Sequence, residues 1–140
     1  MEDFCVEWRV QSIRGATTVS ENTVEAIQEA LTELLDELEV KNHLEPTQII
    51  STTFSVTRDL DVIFPAAIAR RRSYWEQVPM LDVQHMHVKG SLERCIRVLI
   101  HVNIPTTQIY IWHSYLRGAK SLRSDWSSPQ RVVQPGSLHY

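Results

Sequence analysis

Glycine is scarce in this chain, four in 140 residues. A Walker or dinucleotide-binding loop needs several glycines close together so that the backbone can wrap a phosphate, and no such cluster is present. Cysteine is scarcer still. Cys5 and Cys95 lie far apart and match no metal-ligand spacing. Counting alone allows a disulfide, but the pair reads as the reduced thiols of a cytosolic protein. No run approaches the roughly 18 apolar residues of a membrane span. The first twenty residues carry Glu2, Asp3, Glu7, Arg9 and Arg14, so no signal-peptide core is found there. The motifs GxSxG and CxxC are missing, and no Ser–His–Asp arrangement can be argued. What remains is a single domain of ordinary composition, 43% hydrophobic and 22% charged, expected in the cytoplasm.

Lysine is also in short supply, three against eleven arginines, and the net charge of −3 speaks against general nucleic-acid binding. Residues 21–41 hold seven acids and one lysine, so the rest of the chain has a surplus of bases that are nearly all arginine. Arginine suits planar carboxylates or phosphates, which it grips with two parallel hydrogen bonds.

The residues present sort into a mixed α/β pattern. Phe4, Val6, Trp8 and Val10 alternate with Cys5, Glu7, Arg9 and Gln11, which predicts a strand over 4–12 that ends where Gly15 allows a turn. Asn22 with Glu25 predicts a helix start. Val24, Ile27, Leu31, Leu34 and Leu38 then recur at helical spacing, which predicts one long helix over 23–41. IISTTFSV (49–56) reads as a strand, Pro65 as the opening of a helical turn closed by Arg70, Arg71 and Arg72, and residues 78–88 and 95–102 as strands. WHSYLRGAKSL (112–122) alternates weakly as a last strand, and from Ser124 onward the composition reads as a mobile tail. About five strands against one helix leave a sheet face uncovered, and another subunit is the expected cover.

Candidate chemistry starts from DVQHMHVKGSLERCIR (82–97). His85 and His87 share one strand face and resemble a ligand pair, but a third ligand at comparable spacing is missing, and His101 and His113 cannot be placed beside them. No metal is expected. Arg14 ends the first strand and Arg97 lies inside the apolar run CIRVLI, where a buried guanidinium requires an anion. That anion is either an acid of this chain or a ligand. Arginines, apolar walls and no nucleophile suit binding, or a reaction that takes no chemical group from the protein.

SIRGATTV (12–19), FPAAIAR (64–70), WEQVP (75–79), GSLERCIRVL (90–99), Tyr115 and SLR (121–123) resemble the trimeric α/β-class bacterial chorismate mutases, in order from about residue 12 to 125. The resemblance implies a pseudo-barrel fold, a mixed five-stranded sheet with one long helix, in a domain spanning 1–125 with 126–140 as a flexible tail. It implies conversion of chorismate to prephenate without metal or cofactor, and a homotrimer with active sites between subunits. Matched by position, Arg97 faces the ether oxygen and a carboxylate, and Arg14 and Tyr115 hold a carboxylate. Phe64, Ala66, Met80, Leu81 and Leu122 form apolar walls, and Arg70 stands near the mouth; Arg123, the arginine of SLR, joins the substrate-binding set. Two positions depart from the family pattern. His85 stands where a glutamate is usual, and Asp82 where cysteine is often found, so Asp82 is expected to supply the anionic contact with His85 of a neighbouring subunit as its partner. A non-catalytic binder of a small dicarboxylate on the same scaffold, or a histidine-dependent metal hydrolase, are the other readings the residues allow.

Overall fold

The chain runs through strand β1 (Trp8–Thr18), helix α1 (Val24–Asn42), strand β2 (Ile49–Val56), short helix α2 (Pro65–Ala69), strand β3 (Met80–Gln84), strand β4 (Cys95–Pro105) and the short strands β5 (Tyr110–Ile111), β6 (Ser114–Tyr115) and β7 (Gln130–Arg131). This computed structural model describes residues 6–132. Phe4 and Cys5 of the first predicted strand, and the end of the predicted tail, lie outside the described residues. Five strands form one mixed sheet in the order β3-β2-β4-β1-β6, and β5 pairs with β7 separately. Central β4 is antiparallel to β1 and β2, while β3 runs parallel to β2 and β6 parallel to β1. This is the mixed five-stranded sheet with one long helix that the sequence predicts. Among the described residues no helix is long and apolar enough to cross a membrane.

Helix α1 forms because its apolar residues fall on one stripe. Ile27, Leu31, Leu34, Leu35 and Leu38 are buried against Ile13, Phe54, Ile96, Val98 and Ile100 of the sheet. Each such side chain contributes about 1.5–3 kcal/mol by leaving water. The helix begins one residue later than the Asn22 signal suggests. Thr23 is the cap, its hydroxyl accepting from Ala26 N at 3.2 Å, while Asn22 donates to Asp61. At the other end His43 adopts a left-handed conformation (φ 48°), and Leu44 N donates back to Glu39 O at 2.9 Å. Buried Asn42 donates to Trp112 O and accepts from Trp112 N, which ties the helix end to the approach to β6.

Strand β1 corrects the sequence reading. It continues through RGATT to Thr18, paired with β4 along its whole length, and Gly15 lies inside it. The glycine serves packing here. A Cβ at Gly15 would sit 2.9 Å from Ser114 O and 3.1 Å from a Leu34 methyl, so only a bare α-carbon lets α1 and β6 approach β1 this closely. β4 also outruns its prediction and ends at Pro105, whereas β3 stops at Gln84 and β6 has only two residues. Over residues 124–132 the chain is more regular than its composition predicts, with a 3-10 turn over Ser124–Trp126 and the β7 pairing.

Alternation sorts the sheet into two faces. Ile13, Thr52, Phe54, Ile96, Val98, Ile100 and Val102 are buried on the face that α1 covers. The other face carries Val10 (59% exposed), Leu81 (66%), Val83 (42%), Leu99, Arg14 and Arg97, with the hydrogen-bonded pairs Ser12–His101 and Ser55–His85, both 2.9 Å. No described element covers it.

Candidate active site

The register places four side chains of the open face in one row across the sheet. Tyr115 on β6 is opposite Ala16 on β1, Ala16 is opposite Arg97 on β4, and Arg97 is opposite Ser55 on β2. Ala16, fully buried, is the small residue of the row between Tyr115 and Arg97. Ser55 Oγ lies 2.9 Å from His85 Nδ1, and His85 N donates to Val56 O, so the histidine extends this row beyond the end of β3. Arg14 lies two residues before Ala16 on the same face of β1. The sequence-predicted Arg14, His85, Arg97 and Tyr115 therefore share one surface.

Two features of this surface call for an anion. The Arg97 Nε and the Tyr115 hydroxyl are buried, and neither has a hydrogen-bond partner among the described residues. Among the same residues the ion pairs involve Lys41, Arg72, Arg94, Arg117 and Arg123, and none reaches Arg14, Arg70 or Arg97. An internal acid is thus not what satisfies Arg97. Burial, reinforced by the nearby Arg97 charge, holds the His85 pKa below its ordinary value. Burial also pushes the Cys95 thiol up, by more than Arg97 pulls it down, so this cysteine stays protonated packing.

The remaining predicted residues lie elsewhere. Asp82 is on the covered side of β3, where its Oδ1 accepts from Ala66 N at 2.9 Å at the start of α2. Burial raises its pKa, against the pull of that bond and of Arg70. Asp82, Phe64 and Val62 line a cavity of about 470 Å³ beside β3. Ala66 is buried in α2, Phe64 is 71% exposed, and Arg70 is exposed just after α2. Met80 packs on the core and Leu81 projects from the open face. Leu122 and Arg123 follow the 3-10 turn after β6. β3 and β6 are opposite edges of the sheet, about 19 Å apart at roughly 4.8 Å per strand. Asp82 and Tyr115 of one chain therefore lie at opposite edges and on opposite faces of the sheet.

Sequence reasoning missed His113 and Trp126, which the fold brings to Arg14. His113 is 9% exposed and its Nδ1 accepts from Arg14 N at 2.9 Å, standing in for a backbone carbonyl beside the short β6 pairing. Trp126 stacks on its ring, with centroids 3.9 Å apart. No signal marked either residue, because an isolated histidine and a tryptophan in a polar tail carry no pattern. Among the described residues no three His, Cys, Asp or Glu side chains come together so as to hold a metal ion.

Burial, with Arg14 and Arg123 adding to it and Asp125 opposing, lowers the His113 pKa from 6.5 to about 4. A depressed folded-state value means that the unfolded chain takes up a proton first as the pH falls. The contribution is fully present above pH 6.5, is lost between 6.5 and about 4, and does not fall further below that. At about 1.4 kcal/mol per pH unit the loss is on the order of 3 kcal/mol. Urea unfolding from pH 7 to 4 is expected to show this slope in the native chain and to lose it in His113→Asn, whose amide oxygen can still accept from Arg14 N. Parallel curves for the two proteins would assign the acid sensitivity to other groups.

Residues 10–126 match the family described as chorismate mutase type I. The chain is 39% identical over 118 residues to a chorismate mutase of Bacillus subtilis, covering 84% of this chain and 93% of the relative. It is 43% identical over 122 residues to a chorismate mutase of Thermus thermophilus, covering 86% and 99%. The solved structure of a chorismate mutase from Clostridium thermocellum superposes with a TM-score of 0.73 at 46% identity, over 79% of this chain and 98% of that one. An open-faced mixed sheet whose arginines have no acid partner among the described residues thus has a family. The chain belongs to the type I chorismate mutases.

Proposed function

We infer that this protein is a chorismate mutase, an isomerase of aromatic amino-acid biosynthesis that converts chorismate to prephenate. The observation that carries this reading is the row Tyr115–Arg97–His85 beside Arg14, in which a buried guanidinium nitrogen and a buried hydroxyl have no partner among the described residues. The substrate is a dicarboxylate, and the reaction is a unimolecular [3,3] rearrangement. It needs no nucleophile, proton transfer or cofactor. The protein's work is to hold the reactive chair conformer and to stabilise the charge that grows on the ether oxygen as the C–O bond breaks. Arg97 faces that oxygen and one carboxylate. Arg14 and Tyr115 hold a carboxylate, with Arg123 and Leu122 beside them.

The working unit is a homotrimer with its sites between subunits. An open sheet face that exposes Val10, Leu81 and Val83 beside its arginines, and the placing of Asp82 on the opposite face from Tyr115, both support this. One subunit supplies Arg14, His85, Arg97 and Tyr115, and its neighbour supplies Phe64, Ala66, Arg70, Met80, Leu81 and Asp82. Asp82 of one chain then meets His85 of the next, which restores a carboxylate where the family has glutamate. The enzyme works in the cytoplasm.

Purified protein is expected to consume chorismate, read as loss of its absorbance, with stoichiometric prephenate, and to scatter light as three 16.2 kDa chains. Binding without turnover would leave a dicarboxylate-binding protein. A stable, fully active monomer would remove the interfacial site.

A further inference from the structure

Trp126 ends the 3-10 turn that follows Arg123, in a segment whose composition reads as tail. It is partly exposed and does not belong to the apolar core. Its neighbours are the ionic and aromatic groups of the arginine surface. The Arg123 guanidinium carbon lies 3.4 Å from the indole centroid and that of Arg14 lies 5.7 Å from it. The His113 ring stacks on it with planes 29° apart, and Tyr115 meets it edge-on at 6.0 Å. One side chain therefore touches four groups from three different segments.

The two cations differ in their compensation. Arg123 is held by Asp125 through two hydrogen bonds, of 3.0 and 2.8 Å. Arg14 has no acid among the described residues, and only its backbone is fixed, by His113. The indole, whose faces carry Arg123 and His113, gives Arg14 a longer cation–π contact at 5.7 Å that uses none of its N–H donors. A carboxylate in that place would neutralise the charge that an anionic ligand has to find.

We propose that Trp126 is a positioning residue, a ring packed on His113 and on the Asp125-paired Arg123, that holds the Arg14 guanidinium and the Tyr115 ring so that they converge on one carboxylate of the ligand. The proposal rests on the chorismate mutase reading for the identity of that ligand, but the ordering of Arg14 belongs to the free protein. Because the contact is made before the ligand arrives and persists through the reaction, its loss acts on binding more than on chemistry.

Two measurements test it in the full chain. In ligand-free protein, the Arg14 Nε–H resonance should be shifted by the indole ring current and motionally restricted. Both properties should disappear in Trp126→Ala, and the restriction should return in Trp126→Phe, which keeps a π face. In steady-state assays, Trp126→Ala should raise KM for chorismate about tenfold, the size of a mid-range cation–π contact. Its kcat should stay within about threefold, with Trp126→Phe recovering most of the loss. If the alanine chain does not fold, Trp126→Leu keeps the apolar bulk without the π face and carries both tests. Unchanged Arg14 mobility in these variants overturns the proposal whatever the activity, as does a kcat loss with KM unmoved. A native chain inactive on chorismate would instead sink the functional reading, and the Arg14 measurement would still decide the role of Trp126.

Discussion

Replacing Arg97 by alanine is expected to lower kcat by roughly 10²–10³-fold, about 3–4 kcal/mol, with a much smaller rise in KM. The expectation follows from where the guanidinium is held. It sits on the central strand, half-buried, with its Nε unsatisfied and no acid paired with it among the described residues. Such a donor needs no reorganisation when negative charge appears on the breaking ether bond, so its contribution is largest in the transition state. Lysine at this position keeps the charge but loses the planar fork that can reach two oxygens, and should rescue only part of the rate. Steady-state constants for Arg97→Ala and Arg97→Lys decide the matter. A near-normal kcat with a raised KM would reduce Arg97 to a ground-state carboxylate clamp.

The sequence announced those parts of the fold whose residues answer to local periodicity. Helix α1 was legible because Ile27, Leu31, Leu34 and Leu38 repeat at helical spacing, and α2 because Pro65 fixes a helical φ at a first turn. The second half of β1 was hidden. Gly15, Ala16 and Thr17 look like a turn, but they are buried strand residues paired with Val98, Arg97 and Ile96 of β4, and α1 and β6 close directly on Gly15. β6 is too short to show alternation, yet it positions Tyr115 opposite Ala16. Among the site residues, Arg14 and Arg97 stood out as cations in apolar strands. That Asp82 and His85 lie on opposite faces followed from their spacing, whereas the Asp82–Ala66 and Ser55–His85 contacts depend on tertiary placement. Trp126 was unreadable for the same reason, since its partners come from β1, the approach to β6 and its own turn.

A carboxylate placed in the middle of the open sheet face should separate assembly from folding. Leu99 lies on central β4, between Arg14 of β1 and Thr53 of β2, and its side chain is only partly buried in the single chain. Leu99→Asp therefore removes little from the core beneath, and Arg14 stands next to the new charge, so the subunit should keep its fold within about 1 kcal/mol. In a trimer the same position would be covered on each of three subunits, where an incompletely paired carboxylate costs several kcal/mol at every copy. The expected product is a folded monomer by light scattering, with native circular dichroism and chorismate turnover reduced at least about 100-fold, because each site has lost the half supplied by its neighbour. Leu99→Ala is the control, since it shortens the side chain without a charge and should stay assembled. Because the introduced carboxylate would also lie near Arg14, the activity is to be measured across protein concentration: recovery as trimers re-form at high concentration assigns the loss to dissociation, while a defect independent of concentration assigns it to Arg14. A Leu99→Asp chain that remains trimeric would put the subunit contact elsewhere than on this face. One that is monomeric and fully active would place the whole site within a single chain, although Asp82 and Tyr115 lie at opposite edges and on opposite faces of its sheet.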